Sequence, residues 1–566
     1  MKIKKLLIKN SLFLILFLAA ILRLWNLGGN PPHLTPDEAS IGYNAYSILK
    51  TGRDEYGELL PIIFKSFGDY KPGLYIYTVV PSVAIFGLTE FAIRLPSAIA
   101  GVFAVWLLYK VVYQLFSKKS FPFNTKYFAL TTSFLLAISP WHIHFSRGAW
   151  EVNLSFTLTL AGIYFFLKSF NKPKNLTLSA IFFALTLITY QGAKLSTGIV
   201  MLIFGIVYWK DITKWFKKER KPLILGLFFG LIISLPIIMS MFTGKAGRLT
   251  VFSVFSYPRS KEYVQAMLDH ANESIGDINY LLFHAEGFNY VRGILGRWFN
   301  HYSDKFLFFQ GDWPNPRHSA PNHGMLLLGE LVIIVIGIIA MLRNSSRETR
   351  LVWLWLLLAP LPSILSRDQV HAIRAHNMLV PLMIILTFGI FYIVKLAQKQ
   401  KLIIKVTSLL LLVGLYVGSY IYFLDAYFVH LPMHNSKYWE YGYKQIVEIV
   451  TPIQGNYKTV RFQQSFAQPY IYFLFYQKYD PAKYQEQAKL VSSGFEGDVG
   501  YVVKLDNIEF VPIDWSIQRG ESGVLFIADI IRIPPVDSVD EELFNIIADI
   551  KYLYGGQTAF RIIEVK

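Results

Sequence analysis

The chain has 566 residues, of which 53% are hydrophobic and 16% aromatic, and its formal net charge is +17. So apolar a composition excludes an ordinary soluble enzyme, and the recurring apolar runs of about 20 residues are the pattern of a polytopic membrane protein. The basic residues cluster in short loops between those runs, which points to membrane topology and away from nucleic acid, and the absence of cysteine excludes disulfides and thiolate chemistry.

The first run, 6–27, follows a basic MKIKK start and has no small-residue cleavage signal, so it reads as a retained span. Next comes HLTPDEASIGYNAYSILK at 33–50. Thr35 as N-cap, Pro36 at the first helical position and Glu38 two residues later predict a helix start, ended by Lys50-Thr51-Gly52. Ile41, Ala45, Ile48 and Leu49 share one face, so an amphipathic helix lying on the outer membrane surface is expected. Capping explains Glu38 better than Asp37, which is left to point into a cleft. Asp54, Glu55, Asp69 and Lys71 follow in the same loop, 28–90.

Further apolar runs lie near 91–116, 127–141, 153–169, 177–190, 195–209, 222–242, 323–343, 351–366, 377–394 and 403–424. With the first run that makes eleven spans. The run at 74–88 is shorter, and charge decides against a crossing there. Without it, the N-terminus, FSKKSFPFNTK, KSFNKPK, KDITKWFKKERK, RNSSRET and KLAQKQKLIIK all fall on the cytoplasmic side, as the positive-inside rule demands. With it, every later loop inverts. The segment 74–88 is therefore expected to be re-entrant or interfacial. Loop 28–90, loop 243–322 and the tail from about 425 then lie outside the cytoplasm.

The second outer loop holds Arg147 and Glu151, four apart, for which a surface ion pair is the simplest account. Arg94 sits at a span end, where arginines often snorkel to headgroups. Loop 243–322 is aromatic and carries His301, Asp304, Asp312 and His318, whose spacing fits no standard metal motif. SRDQVHAIRAHNMLVP at 366–381 is an outer loop with unusual positive charge, and His371 and Arg374 fall on one helical face. In the tail, YKTVRFQ, GYVVKL and SGVLFIADI read as strands, while SKYWEYGYKQIVEIV and DEELFNIIADIKYL read as helices. The expected architecture is an α-helical polytopic membrane module over 1–425 and an extracytoplasmic α/β domain over 426–566.

Pro36-Asp37-Glu38, Lys71-Pro72 before LYIY, GLTEFAIRLPSAIAG at 87–101, and Arg147 with Glu151 together resemble the GT-C glycosyltransferases of family 39, the protein O-mannosyltransferase and aminoarabinose transferase type. The likeness is specific over about 33–170, and the many-span layout extends it to about 425. One departure is Gly73, where the family commonly has a second Pro; a glycine there is expected to loosen the loop that carries Lys71. The resemblance implies a sugar donor on a polyprenyl phosphate, an acceptor protein, lipid or glycan outside the cytoplasm, and membrane lipids as surroundings. Such a leaving group needs cations more than a general acid, and the acceptor needs one base. Inversion at the anomeric carbon follows from a single displacement. On this reading Asp37 is the base, Glu38 orients the helix start, Glu151 positions acceptor or sugar, and Lys71, Arg147, His371, Arg374 and Arg94 are the donor-phosphate candidates. No cofactor or metal is required, though a divalent cation is compatible. A transporter or flippase is disfavoured, because the acids cluster in outer loops rather than within the spans. A scaffold with a glycan-binding tail would leave Asp37, Lys71 and Glu151 free to vary.

Overall fold

The computed structural model describes all residues except 1, 119–120, 219, 245–252, 466, 492–498 and 539. In the first half the helices are α1 (Lys2–Leu24), α2 (Pro36–Thr51), α3 (Leu74–Phe86), α4 (Glu90–Leu115), α5 (Thr125–Ile138), α6 (Pro140–Arg147), α7 (Glu151–Ser169), α8 (Asn175–Leu187), α9 (Ala193–Val207), α10 (Trp209–Lys218) and α11 (Arg220–Phe242). Later apolar runs form Glu330–Leu342, Arg347–Leu358 with Leu361–Ile364, Leu379–Ala397 and Leu402–Asp425. All eleven apolar runs are thus helical. Among the described residues, five helices are long and apolar enough to cross a membrane, or six if α9 and the start of α10, bent by 85°, form one span. Five more apolar helices are shorter, α3 among them. The protein is a multi-pass, mainly helical membrane protein.

Proline and glycine shape this bundle. Pro140 occupies the first position of α6, so the 127–141 run divides into α5 and α6. Gly337 and Gly389 let two helices touch: a Cβ on Gly337 would sit 2.1 Å from the Ile385 carbonyl oxygen, and one on Gly389 would sit 2.3 Å from that of Ile333. Small residues at such a crossing let backbones approach without a hydrophobic driving force between helices. Helices α11 and Leu402–Asp425 instead present Leu, Ile and Phe outward, as lipid-facing helices do.

The tail contains a six-stranded mixed sheet. Its strands run β6 (Lys504–Leu505), β7 (Ile508–Val511), β3 (Thr459–Gln463), β8 (Val524–Ala528), β10 (Thr558–Val565) and β9 (Phe544–Lys551) across the sheet. β3 pairs in parallel with β7 and β8, and the other pairs are antiparallel. Short β4 (Leu490–Val491) and β5 (Tyr501–Val502) form a separate ribbon. The three strand expectations hold. The helix expected in DEELFNIIADIKYL does not: Phe544–Lys551 is β9. Its β-branched Ile546 and Ile550 pair with Ile563 and Phe560 of β10, and that ladder outweighs a local periodicity that also suits a helix.

α2 is not an amphipathic helix on the membrane surface. It is buried on nearly every side, wedged between α3 and the tail helices Pro469–Tyr476 and Pro481–Gln487. One core joins Ile41, Tyr43, Ala45 and Ile48 to Tyr75, Val79, Tyr470, Phe473, Phe475 and Tyr484. Gly42 makes the contact feasible, since a Cβ there would lie 2.5 Å from the Phe475 ring. Polar ties cross it too: the Tyr472 hydroxyl donates to the Leu34 carbonyl at 3.2 Å, and Gln485 Nε2 donates to Ser47 Oγ at 3.1 Å and the Asp54 carbonyl at 2.9 Å. Each large apolar side chain buried here is worth roughly 1.5–3 kcal/mol. Deleting 430–566 is therefore expected to abolish binding of a radiolabelled polyprenyl-phosphate sugar as well as transfer, because α2 loses half its packing. Intact donor binding in the truncated protein would show that the tail serves acceptor choice alone.

Candidate active site

The helix start forms as its residues dictate. Thr35 Oγ1 accepts from the Glu38 N–H at 3.2 Å and the Thr35 N–H donates to Glu38 Oε2 at 3.2 Å, a complete capping box. Gly52, at φ 69°, closes the other end in the left-handed conformation. Glu38 does more than cap. It is 1% exposed, and its Oε1 accepts from Arg94 Nε at 3.0 Å and the Ala149 N–H at 2.9 Å. Arg94 Nη2 adds a bond to Glu38 Oε2 at 3.2 Å, and its remaining N–H groups reach the Leu27, Pro31 and His33 carbonyls. Glu38 thereby ties α2 to α4 and to the turn before α7, with its oxygens fully engaged.

Asp37, one residue earlier, points the other way, and half of its side chain is exposed. Its carboxylate forms an ion pair with Lys71 Nζ. Lys71 lies on a hairpin of β1 (Ile63–Ser66) and β2 (Asp69–Pro72), whose two-residue turn, Phe67-Gly68, has positive φ at both positions. That turn matches the twist of the strands and sets Lys71 opposite Phe64. Gly73 tightens the loop rather than loosening it. Its N–H donates to the Ile62 carbonyl at 2.9 Å, and a Cβ would meet the Phe64 ring at 2.3 Å. A proline at 73 would lose that donor and collide with that ring.

Asp37 and Lys71 open onto a cavity of about 380 Å³. Glu151, Trp150, Tyr190, Lys194, His371 and Arg374 also line it. Partial desolvation at the cavity raises the Asp37 pKa, but the Lys71 charge and hydrogen bond, helped by Arg317, outweigh it and hold the carboxyl below its usual range. Burial likewise opposes the Lys71 charge, and Asp37 and Glu151 outweigh it, so the ammonium titrates above its ordinary value. Arg374 donates from Nη1 to Asp368 Oδ2 at 2.6 Å.

The structure gathers Asp37, Glu151, Lys71, His371 and Arg374 at one cavity. It places Glu38, Arg94 and Arg147 behind it. Arg94 is wholly buried, so it does not snorkel to headgroups. Arg147 is buried as well and binds the Leu22, Trp25 and Asn30 carbonyls at 2.7–2.8 Å, which staples the end of α1 to α6. It is not a surface partner of Glu151. The reason in both cases is the same: a guanidinium satisfies several carbonyls of irregular backbone at once. Lys194, Tyr190 and Arg317 escaped the sequence reading as site residues. Lys194 carried one usable signal, a positive charge in a short loop otherwise poor in charge.

Beneath α2 lies a second carboxyl. Glu55 Oε1 accepts from Asn44 Nδ2 at 2.9 Å and Ser40 Oγ at 3.5 Å, and the Ser40 and Ser66 hydroxyls are 3.0 Å apart. Burial pushes the Glu55 carboxyl up to about 8, against the Asn44 hydrogen bond. The native state then holds a proton that the unfolded chain gives up near 4.5. Stability should fall as pH rises between those two values, by at most about 1.4 kcal/mol per unit, and the loss should be complete above 8. Glu55→Gln should flatten that slope in thermal unfolding followed from pH 5 to about pH 9. Parallel curves for the two proteins would remove Glu55 as its source.

Residues 71–239 match the family model described as dolichyl-phosphate-mannose-protein mannosyltransferase. Over the whole fold the chain is similar to ArnT from Cupriavidus metallidurans bound to undecaprenyl phosphate, with a TM-score of 0.54, 12% identity, and coverage of 98% of this chain and 97% of that one. It is also similar to the oligosaccharyltransferase AglB from Archaeoglobus fulgidus in complex with an inhibitory peptide and a dolichol-phosphate, with a TM-score of 0.50, 11% identity, and coverage of 84% and 64%. No curated protein matches in sequence.

Proposed function

We propose that this chain, a membrane glycosyltransferase with the GT-C fold and of the family-39 type, moves one sugar from a polyprenyl phosphate to a hydroxyl or similar group of an acceptor. The observation that carries this reading is the Asp37–Lys71 ion pair at the cavity, with Glu151 beside it and Arg374 on the wall. The structural neighbours bind undecaprenyl phosphate or dolichol-phosphate, and a lipid phosphate suits a cavity lined by two lysines and an arginine.

In this mechanism the donor phosphate competes for Lys71. As Nζ turns to the phosphate, Asp37 loses the partner that holds its pKa down and becomes a stronger base. The base is thus armed only when donor is bound. Asp37 takes the acceptor proton as the acceptor oxygen bonds to the anomeric carbon. The bond from that carbon to the phosphate oxygen breaks, and polyprenyl phosphate leaves with its charge against Lys71 and Arg374. One displacement inverts the anomeric centre. Glu151 positions the sugar or acceptor, and Glu38 acts through the backbone, as a positioning residue. The chemistry is assigned to the chain's own side chains, with no organic cofactor.

The cavity is assigned to the extracytoplasmic face, because the Lys- and Arg-rich loops cluster on the other side. The N-terminus is then cytoplasmic, α3 does not cross, and the domain 426–566 lies outside with the module 1–425 in the membrane. The test is transfer in proteoliposomes from a panel of polyprenyl-phosphate sugars. Transfer from one donor class with an inverted product supports the reading. A retained anomeric configuration would replace the single displacement with a covalent intermediate.

A further inference from the structure

Behind the cavity lies a cluster that the transfer mechanism leaves unused, and His371 is its one member on the cavity wall. Asp312 and His318 come from the turn that follows the aromatic outer segment, and His371 from the loop before Leu379–Ala397. One donor atom from each lies within 4.8 Å of the other two. Asp312 is wholly buried and His318 nearly so. His318 Nδ1 and Asp312 Oδ2 are 2.8 Å apart, and the Ala372 N–H donates to the same oxygen at 2.7 Å. Asn315 Nδ2 donates to the other Asp312 oxygen at 3.0 Å. His371 Nδ1 is buried with no hydrogen-bond partner among the described residues. A buried ring nitrogen without a partner costs free energy unless something outside the chain satisfies it.

We propose that Asp312, His318 and His371 bind a divalent transition metal ion of the zinc class. Two imidazoles and one carboxylate are a borderline ligand set that suits zinc and disfavours magnesium and calcium, which take oxygen. Ligand atoms of tetrahedral zinc lie roughly 3.3 Å apart, given bonds of about 2.0–2.2 Å, so small side-chain rotations close the cluster on an ion. The carboxylate is already oriented by Asn315 and the Ala372 N–H, as metal-binding carboxylates are. The ion would clamp the outer segment to the loop that carries Arg374. It would also fix Arg317, the neighbour of His318 whose charge reaches Asp37. Three protein ligands leave a fourth position for an oxygen donor.

The experiment is metal analysis of the full-length protein, purified in detergent without nickel or chelator. About one equivalent of zinc-class metal per chain is expected. After chelation, cobalt(II) titration of the wild-type protein should saturate at about one equivalent with the visible absorption of a tetrahedral site. His318→Gln and His371→Gln should each lower the metal content at least fivefold, while the elution profile shows a folded protein. Wild-type protein that binds no cobalt stoichiometrically overturns the proposal, whatever the variants do. So does undiminished binding by both variants.

Discussion

Asp37→Asn is expected to lower sugar transfer by about 10²-fold or more while donor binding stays within a few-fold of wild type. Asparagine keeps the shape of the side chain and an oxygen for Lys71 to bond, so the hairpin of β1 and β2 stays in place. It cannot take a proton. The effect should therefore fall on kcat, with KM for donor little changed. The pH profile makes the test sharper. Lys71 holds Asp37 below the usual carboxylate range in the donor-free protein, so the acidic limb of kcat/KM should lie low. Lys71→Met removes that restraint, so it should move the limb upward while weakening donor binding. Near-normal transfer by Asp37→Asn would leave Asp37 as a first-turn feature and move the search for a base to Glu151.

Arg94→Met should be the most destabilising single change outside the cavity. It leaves Glu38 buried and charged with one partner gone, at a cost of about 3–5 kcal/mol. Arg94 also satisfies three carbonyls between Leu27 and His33, and those would lose a donor. Glu38→Gln should cost less, because the amide oxygen still accepts from Arg94 and the Ala149 N–H. The double variant should recover part of the loss, since no buried charge remains without a counterpart. Thermal denaturation in detergent, read by size exclusion, separates these outcomes. If Arg94→Met melts with wild type, the pair contributes nothing to α2 and the capping box alone holds it.

The proposed metal cluster and the transfer chemistry meet at Arg374 and Arg317. Loss of the ion would loosen the outer segment and the loop that carries Arg374, yet Asp37, Lys71 and Glu151 are held by α2, β2 and α7, to which no residue of the cluster belongs. The tail differs in this respect. It shares one hydrophobic core with α2, so the domain boundary near 425 in sequence is no boundary in packing.

By itself the sequence determined the helical membrane layout, the start and end of α2, and the acidic pair as a point of interest. Each of these rests on short-range physics: apolar length, a capping box over four residues, and glycine's freedom at positive φ. Asp37, Lys71 and Glu151 stood out in the sequence through a local motif, and the structure brings all three to one cavity. Only the tertiary structure decided that Arg94 and Arg147 turn inward, that β9 is a strand, that Gly73 seats Phe64, and that Asp312, His318 and His371 meet. An arginine at a helix end suits headgroups and buried carbonyls equally, and which it finds depends on backbone from a distant part of the chain. A segment such as FNIIADIK suits helix and strand equally, and the partner strand decides. Those outcomes follow from pairings between segments far apart in the chain, and such pairings are settled by packing against a whole fold, which no local pattern encodes.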